Sequence, residues 1–319
     1  MAFLNQETLH TQRLVSFWKH HPIADQKAEL LAKQTLNFQK KFNCDFIKIT
    51  PAGSWQAVCH GITDAWEGDF LGRRIIKKTV INTPDNWLTL PDFSKKQPAL
   101  MQEIVGACQL VYEQKTDNTP VMSTVFCPVS QAIQIAGLPI FLEHIQQYPD
   151  KVLAGIEQIT QNTLYVIGQL IEAGSQGIYF VTQHMRHGAL TPELYEKFGK
   201  DSDERCLNAC KNLLYNIFHI HGADVYLSLG SIPSNCFIHY EYTPEITISP
   251  IVLKKYASRL LVGLPASEME KCQHDHEMHR LIAQTTPGNM ITAGCVLPLD
   301  FPEESILKWM SVSKNYVLK

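Results

Sequence analysis

The segment NIFHIHGADVYL, residues 216–227, begins as a buried β-strand and ends in polar side chains. Residues two apart on a strand point to the same face, so His219 and His221 are predicted to lie side by side. Gly222 follows directly and marks a turn. The segment therefore predicts a strand that carries two imidazoles at its carboxyl end.

Seven further runs have the same strand-like character, and amphipathic helical patterns separate them. Apolar residues in the intervening stretches recur at i, i+3, i+4 and i+7, as in DQKAELLAKQTLNFQKKF. The seven runs are RLVSFW (13–18), DFIKIT (45–50), VMSTVF (121–126), GIYFVT (177–182), CFIHY (236–240), RLLVGL (259–264) and MITAGCVL (290–297). Eight β–α alternations predict an α/β fold, a (β/α)8 TIM barrel that forms a single domain over residues 1–319. A doubly wound open sheet is the alternative.

Residues 54–100 interrupt this alternation. They contain turn residues and short alternating runs but little helical pattern, as in GITDAWEGDFLGRRIIKKTVINTPDNW. We expect them to form an excursion over the catalytic face of the barrel, with a β-hairpin and an arm.

The composition excludes several classes of protein. The formal net charge is −3 and no Lys/Arg run is long enough to form a phosphate-binding patch, so a nucleic-acid partner is not expected. No apolar stretch is long enough to span a membrane, and the first residues lack the apolar run of a signal peptide. The nine cysteines are odd in number and form no CxxC pair. These features predict a reduced, cytoplasmic and soluble protein. A small-molecule substrate is expected, and a homodimer is left open.

In a (β/α)8 barrel the functional groups lie at the carboxyl ends of the strands. His219, His221 and Cys295 would converge there, and imidazole and thiolate are good Zn²⁺ ligands. The alternative is that His219 is a hydrogen-bonded core residue and that Cys295 packs against the rim. The other polar residues at or near strand ends are Lys19, Gln183, His184, Arg186 and His239.

A second group of possible ligands lies in KCQHDHEMHR, residues 271–280. Cys272, His276 and His279 have the i, i+4 and i, i+3 spacing of one helix face. The segment is highly polar, and the helices of a barrel face outward. We therefore interpret it as a solvated helix face.

The chain resembles the uroporphyrinogen decarboxylase superfamily along nearly its whole length. The pieces that carry the resemblance are DFIKITP (45–51), GIYFVTQHMRHGALTPELYEKFG (177–199), FHIHGADVYL (218–227) and ITAGCVLPLDFPEESILKWM (291–310). The resemblance implies a (β/α)8 barrel. It also implies one of two activities: decarboxylation of uroporphyrinogen, or methyl transfer between a corrinoid and a thiol held by zinc.

Three positions depart from the pattern of the decarboxylase branch. The arginine-rich loop of that branch falls on WKHHPIAD, where Lys19 occupies the first arginine position. The aspartate that holds the pyrrole N–H groups falls on Ala52, and the active-site tyrosine falls on Gln134. A methyl group cannot accept hydrogen bonds, so Ala52 argues most strongly against this activity.

The methyltransferase branch carries His-x-Cys on the matching strand and a cysteine in the closing motif. Carried over, the zinc ligands are His219, His221 in place of the first cysteine, and Cys295. The resemblance thus favours a zinc-dependent methyltransferase-like enzyme with a corrinoid as co-substrate and a corrinoid protein as a partner. Alternatives are a uroporphyrinogen decarboxylase with an altered substrate clamp and a non-catalytic tetrapyrrole-binding barrel. The remaining candidates are His184, His239 and Lys19 as catalytic residues, and Gln183, Arg186 and Gln134 as substrate-binding residues.

Overall fold

Strands and helices alternate along the chain in the predicted order. The computed structural model describes residues 14–222, 224–227, 232–241, 260–285 and 290–315. The strands are β1 (Leu14–Val15), β2 (Ile47–Ile49), β3 (Thr63–Trp66), β4 (Arg74–Lys78), β5 (Val121–Phe126), β6 (Gly177–Thr182), β7 (Asn216–Ile220), β8 (Cys236–Glu241), β9 (Leu260–Gly263) and β10 (Met290–Ile291). All eight predicted runs contain a strand, and β3 and β4 are additional.

Six of the strands form one parallel sheet in the order β2-β5-β6-β7-β8-β9, and β1 and β10 form a second, parallel pair. The register of the large sheet places Val181 beside His219 and His219 beside His239. All six residues of β5 and of β6 are buried, as expected for strands with both faces covered.

The two sheets meet at two joins. At one join Leu264, just after β9, forms a parallel bridge with Ala293. At the other the Asp45 amide donates to the Val15 carbonyl over 3.0 Å, just before β2. The eight parallel strands therefore follow one another in barrel order, although in the described residues the hydrogen-bonded ladder is not continuous at these joins. The predicted α/β fold class is confirmed.

Helices connect the strands. They are α1 (Ala28–Phe42), α2 (Trp55–Cys59), α3 (Ala99–Gln114), α4 (Pro128–Ala136), α5 (Leu138–Gln147), α6 (Pro149–Glu172), α7 (Pro192–Phe198), α8 (Lys200–Ala209), α9 (Ala266–Lys271), α10 (Asp275–Thr285) and α11 (Glu303–Asn315). Helix α7 begins with Pro192 after Thr191, whose side chain accepts from the Leu194 amide. Helix α1 ends at Asn43, which adopts the left-handed conformation that asparagine tolerates.

The segment that interrupts the alternation contains an antiparallel hairpin formed by β3 and β4. The Arg74 guanidinium fixes it by donating to Asp64 Oδ1 over 2.8 Å and to the Pro22 carbonyl over 2.9 Å. Gly72 lies so close to His20 that an added Cβ would be 2.6 Å from the His20 Cβ, and its φ of +78° also favours glycine. The hairpin is thus packed onto the chain that follows β1.

Apolar side chains form two buried clusters. The larger fills the interior and the layer between sheet and helices, with Trp55, Trp87 and Phe180 among its largest members. The smaller lies around β1 and β10 and includes Trp309 of α11. In the described residues, no helix is both long enough and apolar enough to cross a membrane.

Candidate functional site

A cavity of about 700 Å³ opens at the carboxyl ends of the parallel strands. Residues at or just past strand ends line it, including Thr50, Phe126, Gln183, His221 and Glu241. Side chains of the hairpin, such as Leu71 and Ile76, line the opposite wall. The volume lies in the range of small-molecule sites, and strand ends are where barrels place their chemistry.

Three of the predicted residues converge on one wall of this cavity. One ligand atom from each of His219, His221 and Cys295 lies within 4.8 Å of the others. His219 belongs to β7, and His221 follows it with its amide bound to the Thr182 carbonyl over 2.9 Å. Cys295 comes from the segment after β10. In the described part of the chain this is the one group of three or more His, Cys, Asp or Glu that could hold a metal ion.

The buried side chain of His219 lacks hydrogen-bond partners. Its exposed fraction is 2%, and neither Nδ1 nor Nε2 has a partner in the described residues. Burial lowers its pKa well below 6.5, so the ring is neutral and can offer an electron pair. A buried polar atom without a partner costs about 1–3 kcal/mol, which a bound cation would offset.

The Cys295 thiol is protonated at neutral pH in the absence of a metal. Burial raises its pKa to about 11, and the nearby positive charge of Lys48 opposes this increase. Gly294 beside it contacts the Glu241 carboxylate so closely that an added Cβ would lie 2.6 Å from Oε1. Glu241 therefore occupies the same wall as the three predicted ligands.

His239 lies behind His219 and away from the cavity surface. Its ring is fully buried, and burial lowers its pKa to about 3. Nε2 lies 3.1 Å from the Ala293 carbonyl and Nδ1 lies 2.6 Å from the Tyr179 hydroxyl. Since a carbonyl oxygen only accepts, Nε2 carries the proton and Nδ1 accepts from Tyr179. Both nitrogens are thus engaged inside the protein.

The polar residues after β6 form a separate network. The Gln134 amide donates to the Gly53 carbonyl over 2.9 Å and to Gln183 Oε1 over 2.6 Å, and both glutamines line the cavity. His184 Nδ1 lies 3.2 Å from Ser130 Oγ, and burial lowers the His184 pKa to about 3. Gln134 and Gln183 are placed to touch a ligand, whereas His184 lies behind them.

Two further predicted residues, like His239 and His184, do not line the cavity. Lys19 donates from Nζ to the carbonyls of Leu299 and Phe301, over 3.1 and 2.8 Å, and so fixes the segment that precedes α11. Arg186 forms a backbone bridge with Val225. The Arg186 side chain lies beside Gly222 of the cavity lining, where an added Cβ would be 3.5 Å from Arg186 Cδ. Lys19 is thus engaged by the backbone, whereas Arg186 lies next to a residue that lines the cavity.

The second cysteine and histidine cluster lies on the surface. His274 and His276 are exposed, and their rings stack with centroids 5.6 Å apart. The exposure of His274, His276 and His279 agrees with the prediction of a solvated helix face.

Lys48, Tyr179 and Glu241 are among the polar residues of the site that the sequence did not single out. Each alternates with apolar neighbours on a strand that was predicted correctly, so each shares the inward face with cavity residues. A charged residue inside a buried strand, as in DFIKIT, was the available signal, because burial of a lysine requires a compensating reason.

The comparison with protein families now identifies the chain. The model described as "Uroporphyrinogen decarboxylase (URO-D)" matches residues 12–316. This chain belongs to the uroporphyrinogen decarboxylase family. The resemblance stated from the motifs is therefore confirmed, and family members include enzymes, although membership alone does not define the reaction.

Two solved structures share this fold. One is a "methyltransferase from Methanosarcina mazei", with a TM-score of 0.72, 12% identity, and 95% of this chain and 93% of that chain covered. Another is a B12-independent methionine synthase from Shewanella sp. W3-18-1 in complex with selenomethionine, with a TM-score of 0.54, 12% identity, and coverage of 90% and 86%. At this identity the likeness shows the fold alone. A search of curated proteins finds no match.

Proposed function

We propose that this member of the uroporphyrinogen decarboxylase family transfers a methyl group from a corrinoid to a small thiol held by zinc. The observation that carries the proposal is the convergence of His219, His221 and Cys295 within 4.8 Å on the wall of the cavity. A catalytic zinc site has three protein ligands and an open position, and this wall offers three donors beside open space.

The residues fit zinc in donor type and in protonation state. Two imidazoles and one thiolate form a ligand set that zinc accepts. Burial lowers the pKa of His219 and of His221, so both rings are neutral as ligands must be. The unpartnered nitrogens of His219 provide the independent sign of a missing ligand.

Zinc bound there would lower the pKa of an incoming thiol and present it as a thiolate. Cys295 would contribute a thiolate after losing its proton. His239 holds the Ala293 carbonyl, two residues before Cys295, and thereby fixes the segment that carries this ligand. Gln134 and Gln183 offer amide groups to the polar part of a substrate on the adjoining wall.

The proposed methyl donor is a corrinoid, presented at the mouth of the cavity by a partner protein. In this reaction the sulfur–carbon bond would form as the cobalt–carbon bond breaks, and the electron pair of the broken bond would stay on the corrinoid. The resemblance to the methyltransferase branch of the superfamily supports a corrinoid as the methyl donor. The similar fold of the Methanosarcina mazei methyltransferase supports methyl transfer.

The cavity is poorly suited to a substrate with many carboxylates. Its lining includes two arginines, and each is already paired with a carboxylate: Arg73 with Asp69, and Arg74 with Asp64. The buried Ala52 offers no acceptor for pyrrole N–H groups. Decarboxylation of uroporphyrinogen is therefore the less favoured reaction.

The test measures zinc content and methyl transfer on the same preparations. We expect about one zinc per chain in the wild-type protein and zinc-dependent transfer from methylcobalamin to a thiol. His219→Ala should lose both zinc and transfer while far-UV circular dichroism stays unchanged. His276→Ala, which removes an exposed histidine, is the matched control and should retain both.

Two results would reject the proposal. One is a wild-type protein that binds zinc no more tightly than His219→Ala does. The other is a zinc-loaded protein that converts uroporphyrinogen but moves no methyl group to any thiol offered.

A further inference from the structure

A buried lysine on the cavity wall is neither a ligand nor a substrate contact in the proposed zinc chemistry, although its charge acts on the Cys295 thiol. Lys48 lies on β2. Among the lysines whose burial the structure describes, Lys48 is the only buried one. Its alternation with Ile47 and Ile49 turns it inward, and it lines the cavity. It is also on a different strand from the His219, His221 and Cys295 group.

The amine has few polar partners. Nζ donates to Thr50 Oγ1 over 3.3 Å, and in the described residues Lys48 forms no ion pair with a carboxylate. Nζ lies 5.0 Å from the centroid of the Trp18 ring and 4.4 Å from that of Tyr179. Aromatic faces and one hydroxyl thus surround a group that most proteins keep in water or pair with an acid.

Such surroundings favour the neutral amine. Burial lowers the pKa of Lys48 to about 7, and this outweighs the opposing coulombic interaction with Cys295. A desolvated lysine without a carboxylate partner is a nucleophile at neutral pH, since its electron pair is free.

We propose that Lys48 is a carbonyl-reactive amine that forms an imine with a small aldehyde or ketone in the cavity. The Nζ electron pair attacks the carbonyl carbon, and the carbonyl oxygen takes up a proton from nitrogen. The second proton of the amine and this hydroxyl group then leave as water, so a carbon–nitrogen double bond replaces the carbon–oxygen double bond. The step needs no oxidant or reductant.

The charges on the cavity wall select an uncharged carbonyl compound. Arg73 and Arg74 are already paired with carboxylates, so no free guanidinium is offered to an acid. Glu241, Glu270 and Asp300 line the same cavity and would repel one. His20, whose Nδ1 is buried without a partner in the described residues, is a polar contact available to a neutral ligand.

The test traps the imine and asks which lysine reacts first. The protein as purified is mixed with less than one equivalent of propionaldehyde and sodium cyanoborohydride at pH 7, and labelled peptides are measured by mass spectrometry. Lys48 should be labelled roughly tenfold or more faster than the exposed Lys33 and Lys96, because a larger fraction of it is free amine. Its rate should level off above about pH 8, where exposed lysines still accelerate.

The controls separate reactivity from access. Lys48→Met should remove the fast phase of labelling, and Lys33→Met should leave it unchanged. In guanidinium chloride all lysines should react alike, because unfolding removes the environment of Lys48. Equal rates for Lys48 and the exposed lysines in the folded protein, or a fast phase that survives in Lys48→Met, would overturn the proposal. The labelling needs neither zinc nor a thiol, so its failure would leave the proposed methyl transfer unaffected.

Discussion

The imidazole rings of His219 and His239 lie side by side on neighbouring strands, with centroids 4.5 Å apart, yet only His239 has hydrogen-bond partners for both nitrogens. The register of β7 and β8 pairs the two residues directly. Tyr179 and the Ala293 carbonyl thus fix the His239 ring, whereas the nitrogens of the His219 ring are available to a ligand. We infer that His219 binds the metal and that His239 positions it, together with the segment that carries Cys295.

The first prediction concerns that positioning role. His239→Phe keeps an aromatic ring of similar size but removes both hydrogen bonds, so zinc affinity should fall about 10- to 100-fold. Zinc titration with a competing chelator measures it. His144→Phe is the matched control, because His144 is buried and bonded to Trp87 away from the cavity. Equal affinities for the two variants would contradict the assignment.

The second prediction is the pH dependence of zinc binding. Burial raises the Cys295 pKa to about 11, whereas burial lowers the pKa of His219 and of His221. Between pH 6 and 8 the metal therefore displaces one proton, from the thiol, and the dissociation constant should fall about tenfold per pH unit.

Cys295→Ser removes the thiol whose proton zinc would displace. Its zinc affinity should be lower at pH 8, and its dependence on pH should be markedly flatter than that of the wild type. A wild-type affinity that does not change between pH 6 and 8 would exclude Cys295 as a ligand.

The third prediction concerns a buried carboxyl group in α8. Asp203 accepts a hydrogen bond from the Tyr195 hydroxyl over 2.9 Å, and burial raises its pKa to about 8. The unfolded chain releases this proton near pH 4, so folding takes up a proton between about pH 4 and 8. Stability therefore decreases as the pH rises through this range.

Asp203→Asn has no ionisable group at this position, so its free energy of unfolding relative to that of the wild type should rise from pH 5 to pH 8, by at most about 4 kcal/mol. Urea unfolding at the two pH values measures the difference in free energy of unfolding. Asp201→Asn, on the exposed side of the same helix, should show little change with pH. A constant difference for Asp203→Asn would mean that its carboxyl group is ionised in the folded protein.

The fourth prediction concerns the hairpin. Arg74 and Asp64 form an ion pair with side-chain exposures of 13% and 5%. Arg74→Leu should lower the free energy of unfolding by about 3–5 kcal/mol, since the buried Asp64 carboxylate loses its charged partner and keeps the hydrogen bond from the Ser54 hydroxyl. Arg73→Leu breaks the more exposed pair with Asp69 and should cost less than about 1 kcal/mol.

Denaturant unfolding and limited proteolysis in residues 67–73 would compare the two variants. We expect faster cleavage only in Arg74→Leu, because Arg74 also holds the Pro22 carbonyl and so ties the hairpin to the barrel. Equal stability of the two variants would show that the hairpin is held by its apolar contacts instead.

The amino-acid sequence by itself determined the strands and their order. Each of the eight runs, from RLVSFW to MITAGCVL, contains a strand, because a buried parallel strand needs a short apolar run between turn residues. The shared face of His219 and His221 was equally predictable, since it follows from the two-residue period of a strand. These features depend on residues that are close together in the chain, so the sequence alone predicts them.

Only the tertiary structure decided which polar groups come into contact and which already have hydrogen-bond partners within the protein. Cys295 reaches the two histidines because the segment after β10 returns to β9 through the bridge of Leu264 and Ala293. Lys19 was expected at the site, but its amine is taken up by two backbone carbonyls. Lys48 was not predicted as a site residue, yet it is buried beside the rings of Trp18 and Tyr179. Contacts of this kind depend on the register between distant strands, and no local pattern in the chain specifies that register.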